Sequence, residues 1–278
     1  FQKGGFGADP ALGYPIEWEE EVITEKMDCN NDNFWWDRGV VDMVAFESNM
    51  SASLAGPTVT GQGGSMARFT LAANHLYAVD RSTLHVYSVA NPVDPAYVTQ
   101  NNVGWNIETI FPYGDKLFIG SMTGMFIYSI ATPSSPQFTG AFSHASACDP
   151  VVVEGDYAFV TLRAGNLCNG TQNQLDIISI ANPSSPQLVK TYTMTQPYGL
   201  GIDNGTLFLC DGTDGLKVYD AHDVHDLQEL SHFKDIHAFD VIPTGNVLLM
   251  IGDDGLFQYD YTDVNNLKLL SVIPVLKS

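Results

Sequence analysis

Leu175-Asp-Ile-Ile-Ser-Ile-Ala-Asn-Pro-Ser-Ser-Pro-Gln-Leu188 is the stretch that decides the fold. It predicts a short β-strand, a reversal at two prolines, and the beginning of a second strand, because proline fixes the backbone angle that tight turns require. Close copies run Leu84-His-Val-Tyr-Ser-Val-Ala-Asn-Pro-Val-Asp-Pro95 and Met125-Phe-Ile-Tyr-Ser-Ile-Ala-Thr-Pro-Ser-Ser-Pro136. Two weaker copies, in which Val-x-x-Leu replaces Pro-x-x-Pro, begin Leu216-Lys-Val-Tyr-Asp-Ala-His-Asp223 and Leu256-Phe-Gln-Tyr-Asp-Tyr-Thr-Asp263.

Alignment of the five copies gives the repeat length. The equivalent positions lie 41, 50, 41 and 40 residues apart, at Tyr87, Tyr128, Ile178, Tyr219 and Tyr259. A period of this size with several short strands is typical of β-propellers, and helical periodicity is nearly absent.

Each repeat resolves into four strands separated by turns that contain Gly, Asp and Pro. In the second repeat we expect the strands at residues 107–111, 116–120, 125–130 and 137–142. The second strands are rich in apolar residues, which indicates a position between neighbouring blades. They are expected at residues 75–79, 116–120, 157–162, 206–210 and 247–251.

These patterns predict an all-β chain, a five-bladed β-propeller of four-stranded antiparallel blades over residues 65–278. The repeats are expected at about 65–105, 106–146, 147–196, 197–236 and 237–278. Residues 1–64 lack the repeat and are interpreted as an N-terminal extension that packs on the propeller. The alternative is a six-bladed propeller whose additional blade is assembled partly from residues 40–60.

The repeat resembles the LVIVD repeat, a propeller-type repeat of bacterial surface and secreted proteins. The resemblance covers residues 61–278, and it implies a propeller fold but no established reaction and therefore no catalytic residues. Three phrases are similar to members from Bacteroides-type bacteria, many of them predicted lipoproteins: Gly61-Gln-Gly-Gly-Ser-Met-Ala-Arg-Phe69, Ile107-Glu-Thr-Ile-Phe-Pro112 and Leu200-Gly-Ile-Asp203.

The charge balance argues against two classes of partner. Thirty-two acidic residues against twelve basic ones give a formal net charge of −20, which repels nucleic acid and anionic lipid over most of the surface. No apolar run reaches the ~18 residues of a membrane span. We expect an extracytoplasmic protein, periplasmic or a lipoprotein of the outer membrane or cell surface, with any lipid anchor upstream of Phe1.

Two cysteines are predicted to pair. In a propeller blade, the entry to the first strand and the turn between the second and third strands lie on one face. The third repeat has about nine extra residues in that turn, including Cys168, and Cys148 lies at the entry to its first strand. We predict a Cys148–Cys168 disulfide, worth roughly 3 kcal/mol on a chain-entropy estimate, and hence an oxidising compartment. The alternative is two unrelated thiols. Cys210 is expected to be a buried hydrophobic residue.

The same assignment of strand entries and turns to one face places a set of polar residues at one end of the channel. Such ring positions converge from different blades onto one concavity, which is the default place for a ligand. One arginine among three acids suggests an ion-pair network that can hold a cation or a polar ligand; the alternative is polar groups that bond to each other and to water. The aligned residues are Arg68, Glu108, Asp149, Tyr198 and Asp240, with Trp105, Asn106 and His237 just before them.

No catalytic, zinc, phosphate-loop or dinucleotide signature is present, and we expect no cofactor or metal. Asp211-Gly-Thr-Asp214-Gly is interpreted as a tight turn, because it lacks the remaining ligand spacing of a calcium loop. We therefore expect a non-catalytic binding or scaffolding protein of the bacterial cell envelope. Its protein or glycan partner would bind the face with the channel mouth, the Cys168 loop and Trp105.

The alternative is a hydrolase or lyase that acts on a glycan or another polar substrate. In that case Glu108, Asp149 or Asp240 would serve as acid or base, with His237 assisting.

Overall fold

The computed structural model describes residues 63–143, 150–164 and 172–275. These residues form twenty β-strands in five antiparallel four-stranded sheets, each built from four strands that are consecutive in sequence. The predicted all-β, five-bladed propeller is therefore confirmed. The described part of the chain has no helix with the length and apolar character needed to cross a membrane. The predicted extension and the alternative blade at residues 40–60 lie outside the described residues.

The strands are numbered in chain order. Blade 1 contains β1 (Phe69–Ala72), β2 (His75–Val79), β3 (Thr83–Ser88) and β4 (Ala96–Asn102). Blade 2 contains β5 (Ile107–Tyr113), β6 (Lys116–Ser121), β7 (Gly124–Ser129) and β8 (Gln137–Ser143). Blade 3 contains β9 (Val151–Glu154), β10 (Tyr157–Leu162), β11 (Gln174–Ser179) and β12 (Gln187–Thr193). Blade 4 contains β13 (Leu200–Asp203), β14 (Thr206–Cys210), β15 (Leu216–Asp220) and β16 (Gln228–Phe233). Blade 5 contains β17 (Ala238–Thr244), β18 (Val247–Gly252), β19 (Gly255–Asp260) and β20 (Lys268–Pro274).

The repeated stretch forms the third strand of each blade and the turn that follows it. In every blade the pairing of the third and fourth strands shifts register immediately before the aligned anchor position. A β-bulge of this kind bends and twists the strand. The five copies therefore adopt the same local structure, at Tyr87, Tyr128, Ile178, Tyr219 and Tyr259.

The turn after the third strand keeps its hydrogen bond where the prolines are lost. In the third repeat the N–H of Ser185 donates to the carbonyl of Asn182 at 3.0 Å, and blade 4 has the matching bond from Asp226 to Asp223 at 3.1 Å. The Asp223 carboxylate also accepts a 2.9 Å bond from the N–H of His225. Asn182 in the third repeat accepts the equivalent bond from the N–H of Ser184 at 3.3 Å, so this side-chain contact occurs with and without the prolines.

Apolar clusters fill the four junctions between consecutive blades. In blade 2, Leu117 packs toward blade 1 and Phe118 toward blade 3, and both are fully buried. The second strands β6, β10 and β14 are buried on both faces because each lies between two other blades. These junctions are the hydrophobic core of the protein.

The junction between blades 5 and 1 differs from the other four. No apolar cluster of the described residues joins these two blades. On β2 and β18 the more deeply buried residues alternate with more exposed ones, so one face of each strand is less covered. Phe69 on β1 is 63% exposed, whereas Ile110, its equivalent in blade 2, is 1% exposed. Among the described residues this junction is held near the axis, by the polar contacts of Asp240.

Candidate functional site at the channel mouth

A pocket of about 190 Å³ opens on the face where the inner strands begin. Four blades supply its walls, because the strand order places the start of each inner strand and each turn between strands two and three on one face. Of the predicted site residues, it brings together Arg68, Glu108 and Tyr198. The full lining is Met66, Arg68, Glu108, Thr109, Pro150, Arg163, Pro197 and Tyr198.

Arg163 is a lining residue that the sequence reasoning missed. Its guanidinium carbon lies 3.8 Å from the centroid of the Tyr198 ring, which is a cation–π contact. Arg163 directly follows β10, in the turn between the second and third strands of blade 3. Its place in a turn on the mouth face is the signal that could have identified it.

Tyr198 is fixed by both of the blades that it joins. Its N–H donates to the carbonyl of Cys210 at 2.7 Å, and its carbonyl accepts a 2.6 Å bond from the hydroxyl of Thr161 on β10. Its ring makes edge contacts with Phe239, at 5.3 Å between centroids, and with His237, at 6.1 Å. The ring is therefore a rigid platform for the Arg163 guanidinium.

A buried ion pair holds the segment that leads to Tyr198. The Asp211 carboxylate, which is fully buried, accepts hydrogen bonds from the N–H groups of Thr195 and Gln196. Lys217 Nζ lies 2.6 Å from oxygens of both Asp211 and Asp214. The turn at residues 211–215 is thus built around a lysine, whose positive charge compensates the two carboxylates.

The pKa values in this network follow from its contacts. Burial lowers the pKa of Lys217, but the hydrogen bonds to Asp211 and Asp214 outweigh it and hold that pKa well above its ordinary value. The hydrogen bond from Lys217 lowers the pKa of Asp214 below its ordinary value. Lys217 and Asp214 are therefore both charged at neutral pH.

Glu108 reaches the pocket from a β-bulge. The pairing of β5 with β6 shifts register between Ile107 and Thr109, which leaves Glu108 as the additional residue. Bulges re-aim side chains and are common beside binding sites. Asn106, just before it, has a left-handed backbone with φ of 53°, and its carbonyl accepts a 3.2 Å bond from the N–H of Met122. Trp105 is 81% exposed.

Asp240 serves the junction between blades 5 and 1 and is not among the lining residues. Its Oδ1 accepts a 3.0 Å hydrogen bond from Ser65 Oγ, which itself accepts a 2.8 Å bond from the N–H of Leu200. Gly64 and Gly199 lie so close that a methyl group on either would overlap the carboxylate. Burial raises the pKa of Asp240 to about 6.

The remaining predicted residues fall elsewhere. His237 does not line the pocket, and its Nδ1 lies 2.6 Å from Asp253 Oδ2. Asp149, Cys148 and Cys168 lie outside the described residues, so the disulfide stays a prediction. Cys210 is a free, fully buried thiol, and burial raises its pKa.

The pocket differs in charge from the rest of the acidic chain. The sequence has four arginines, Arg38, Arg68, Arg81 and Arg163, and two of them line the pocket. Glu108 is the one carboxylate among the described residues of the lining. No ion pair among the described residues involves either guanidinium. The same described ranges contain no cluster of His, Cys, Asp and Glu that could hold a metal ion.

The chain is similar to known propellers. The LVIVD repeat family matches residues 146–194, which contain all four strands of blade 3. No curated protein shows significant sequence similarity to the chain.

Solved structures share the fold at low sequence identity. The computationally designed Ika8 protein is 12% identical, with a TM-score of 0.54 over 72% of this chain and 59% of its own. The periplasmic gluconolactonase PpgL of Pseudomonas aeruginosa is 14% identical, with a TM-score of 0.55 over 73% of this chain and 68% of its own. BamB from Moraxella catarrhalis is 14% identical, with a TM-score of 0.50 over 79% of this chain and 64% of its own.

At these identities the solved structures support the fold alone, and the chain spans less than two thirds of Ika8 and of BamB. The repeat match and the five four-stranded blades agree with each other. The chain is therefore a five-bladed β-propeller, and its third blade matches the LVIVD repeat.

Proposed function

We propose that this chain is a non-catalytic binding protein of the bacterial cell envelope, and that its ligand or partner binds at the channel mouth. The observation that supports this most strongly is the pocket of about 190 Å³, in which side chains from four blades converge. Propellers host many unrelated functions, so the site rather than the fold carries the proposal.

The support around the pocket favours binding. Tyr198 is held by hydrogen bonds from two blades, and the segment before it is held by Asp211 and Lys217. A lining that is fixed before the ligand arrives loses little conformational entropy on binding. The exposed Trp105 on the same face gives a protein or glycan partner a large aromatic contact.

An extracytoplasmic location is part of the proposal. The repeats of this chain resemble the LVIVD repeat of bacterial surface and secreted proteins, and the family matches residues 146–194. One solved structure of the same fold is a periplasmic gluconolactonase. The predicted Cys148–Cys168 disulfide would require an oxidising compartment.

A hydrolase or lyase that acts on a glycan or another polar substrate is the second candidate. The raised pKa of Asp240 favours it, since acids and bases with pKa values near neutrality are typical of active sites. However, the Asp240 carboxylate already binds Ser65 and lies outside the pocket lining. Of the described acids proposed for catalysis, only Glu108 reaches the pocket.

Methyl NMR of methionine tests the two candidates together. Met66 lines the pocket, whereas Met125 and Met250 are buried within blade junctions and serve as internal controls. A panel of saccharides, polyols and small carboxylates is added to protein with labelled methionine methyl groups. We expect at least one compound to shift the methyl resonance of Met66 while the resonances of Met125 and Met250 stay unchanged. The compound itself should remain chemically unchanged. A panel without effect on Met66 would contradict the binding function, and conversion of the compound would favour the enzyme.

A further inference from the structure

We propose that the channel-mouth pocket is specific for a small carboxylate that carries a hydrogen-bond donor beside its carboxylate group. The proposal rests on the binding function above and names the class of ligand. It places the ligand carboxylate between Arg68 and Arg163 and the neighbouring hydroxyl or ammonium group toward Glu108.

The distribution of arginine is the first argument. Two of the four arginines of the sequence line one pocket, in a chain with 32 acidic and 12 basic residues. With acids in such excess, a basic side chain readily finds a carboxylate partner, as Lys217 and Lys116 do. Within the described ranges, neither Arg68 nor Arg163 forms an ion pair. Two guanidinium groups at one pocket can both donate hydrogen bonds to an anionic ligand.

The orientation of Arg163 is the second argument. Its guanidinium carbon lies over the Tyr198 ring, 3.8 Å from the ring centroid, so the ring holds the guanidinium group at the pocket. A guanidinium carries five N–H donors in a planar fork, which suits a bidentate pair with a planar carboxylate. Arginine stacked on an aromatic ring loses less entropy for each hydrogen bond than a flexible lysine does.

The size and charge of the pocket limit the ligand further. A cavity of about 150 Å³ binds benzene, so a pocket of about 190 Å³ suits a compound of roughly six to ten non-hydrogen atoms. Among the described residues, the charged lining sums to +1, from two arginines and Glu108. A carboxylate with one adjacent donor matches that set, whereas a trianion would place excess charge beside Glu108.

Calorimetric titration with matched probes tests the proposal. Lactate and alanine carry a carboxylate beside a hydroxyl or an ammonium group, and lactamide replaces the lactate carboxylate by a neutral amide. We expect lactate or alanine to bind and lactamide to bind at least about tenfold more weakly, which is the loss expected for hydrogen bonds to a charged group. Equal affinity for inorganic phosphate would overturn the carboxylate assignment in favour of a general anion site.

Three variants locate the binding. Arg68→Gln and Arg163→Gln are each expected to lower the affinity for the probe at least about tenfold. Arg81→Gln is the control: it changes an exposed arginine outside the pocket and should leave the affinity unchanged. Circular dichroism confirms that each variant is folded. Unchanged affinity in both pocket variants would overturn the proposal. If no carboxylate binds but a neutral saccharide shifts the Met66 methyl signal, the carboxylate inference fails and the binding function stands.

Discussion

Ser65 and Asp240 connect the two ends of the propeller: Ser65 Oγ donates a 3.0 Å hydrogen bond to Asp240 Oδ1, 175 positions further along the chain. The N–H of Leu200 donates to the same serine oxygen at 2.8 Å, so the contact joins blade 4, blade 5 and the segment that enters blade 1. It lies at the one junction where no apolar cluster of the described residues is found. A buried carboxylate there makes this junction dependent on pH.

The pH dependence follows from the Asp240 pKa of about 6, which lies above its ordinary value of 3.8. The unfolded chain loses this proton at a lower pH than the folded chain, so the contribution of Asp240 to stability falls as pH rises from about 4 to 6 and stays low above 6. The loss amounts to at most about 3 kcal/mol. We expect Asp240→Asn to remove this part of the pH dependence.

Urea denaturation of both proteins at pH 4 and pH 7 measures the effect. Other carboxylates titrate equally in the two proteins, so the difference between wild type and Asp240→Asn isolates Asp240. The unfolding free energy of wild type minus that of Asp240→Asn should be smaller at pH 7 than at pH 4. The same difference at both pH values would contradict the account.

The Asp211–Lys217 pair predicts a large loss of stability on removing the lysine. Lys217→Met leaves the fully buried Asp211 carboxylate without its counter-ion, which should cost about 3–5 kcal/mol of unfolding free energy. Lys190→Met is the matched control, because Lys190 is exposed and contacts Tyr192 only at 5.7 Å. Its cost should stay below about 1 kcal/mol. Urea denaturation compares them, and similar costs for both variants would contradict the assignment.

The partial burial of β2 at the junction between blades 5 and 1 predicts that a Leu→Ala substitution costs less unfolding free energy in blade 1 than in blade 2. Leu117 and Leu76 occupy equivalent positions, since each pairs with the anchor tyrosine of its own blade. Leu117 is fully buried against blade 1, whereas Leu76 is only partly buried. Leu117→Ala should cost about 2–5 kcal/mol, and Leu76→Ala roughly half as much. Equal costs in thermal or urea denaturation would show that the junction is as well packed as the others.

The predicted Cys148–Cys168 disulfide is tested by counting thiols. Denatured protein that has not been reduced should show two thiols fewer than the reduced protein. In the native state Cys210 should not react, because its thiol is fully buried and its pKa is raised. Four reactive thiols in the denatured, unreduced protein would contradict the disulfide.

The blades were predictable because their signals are local. The period of the repeat, the turn residues and the apolar second strands each lie within about 40 residues of sequence, and β2, β10 and β14 have the predicted bounds. The two repeats without Pro-x-x-Pro still form the same turn, because the backbone bonds from Asp226 to Asp223 and from Asn266 to Asp263 match the bond from Ser185 to Asn182.

The site was less predictable because it depends on contacts between blades. Alignment of the inner strands selected Arg68, Glu108 and Tyr198, which line the pocket. It also selected Asp240, which does not line the pocket and accepts a hydrogen bond from Ser65. Arg163 was missed because its ring partner, Tyr198, lies 35 residues further along the chain. Lys217 was missed because its role depends on the buried carboxylate of Asp211 in the preceding turn. The one-residue bulge that presents Glu108 is likewise a matter of strand register.

A crystal structure of the protein soaked with lactate or alanine tests the central claim most directly. The account predicts electron density in the pocket between Arg68, Arg163 and Tyr198, with the carboxylate within about 3 Å of both guanidinium groups. An empty pocket at saturating ligand concentration, or density only at another surface, would contradict it.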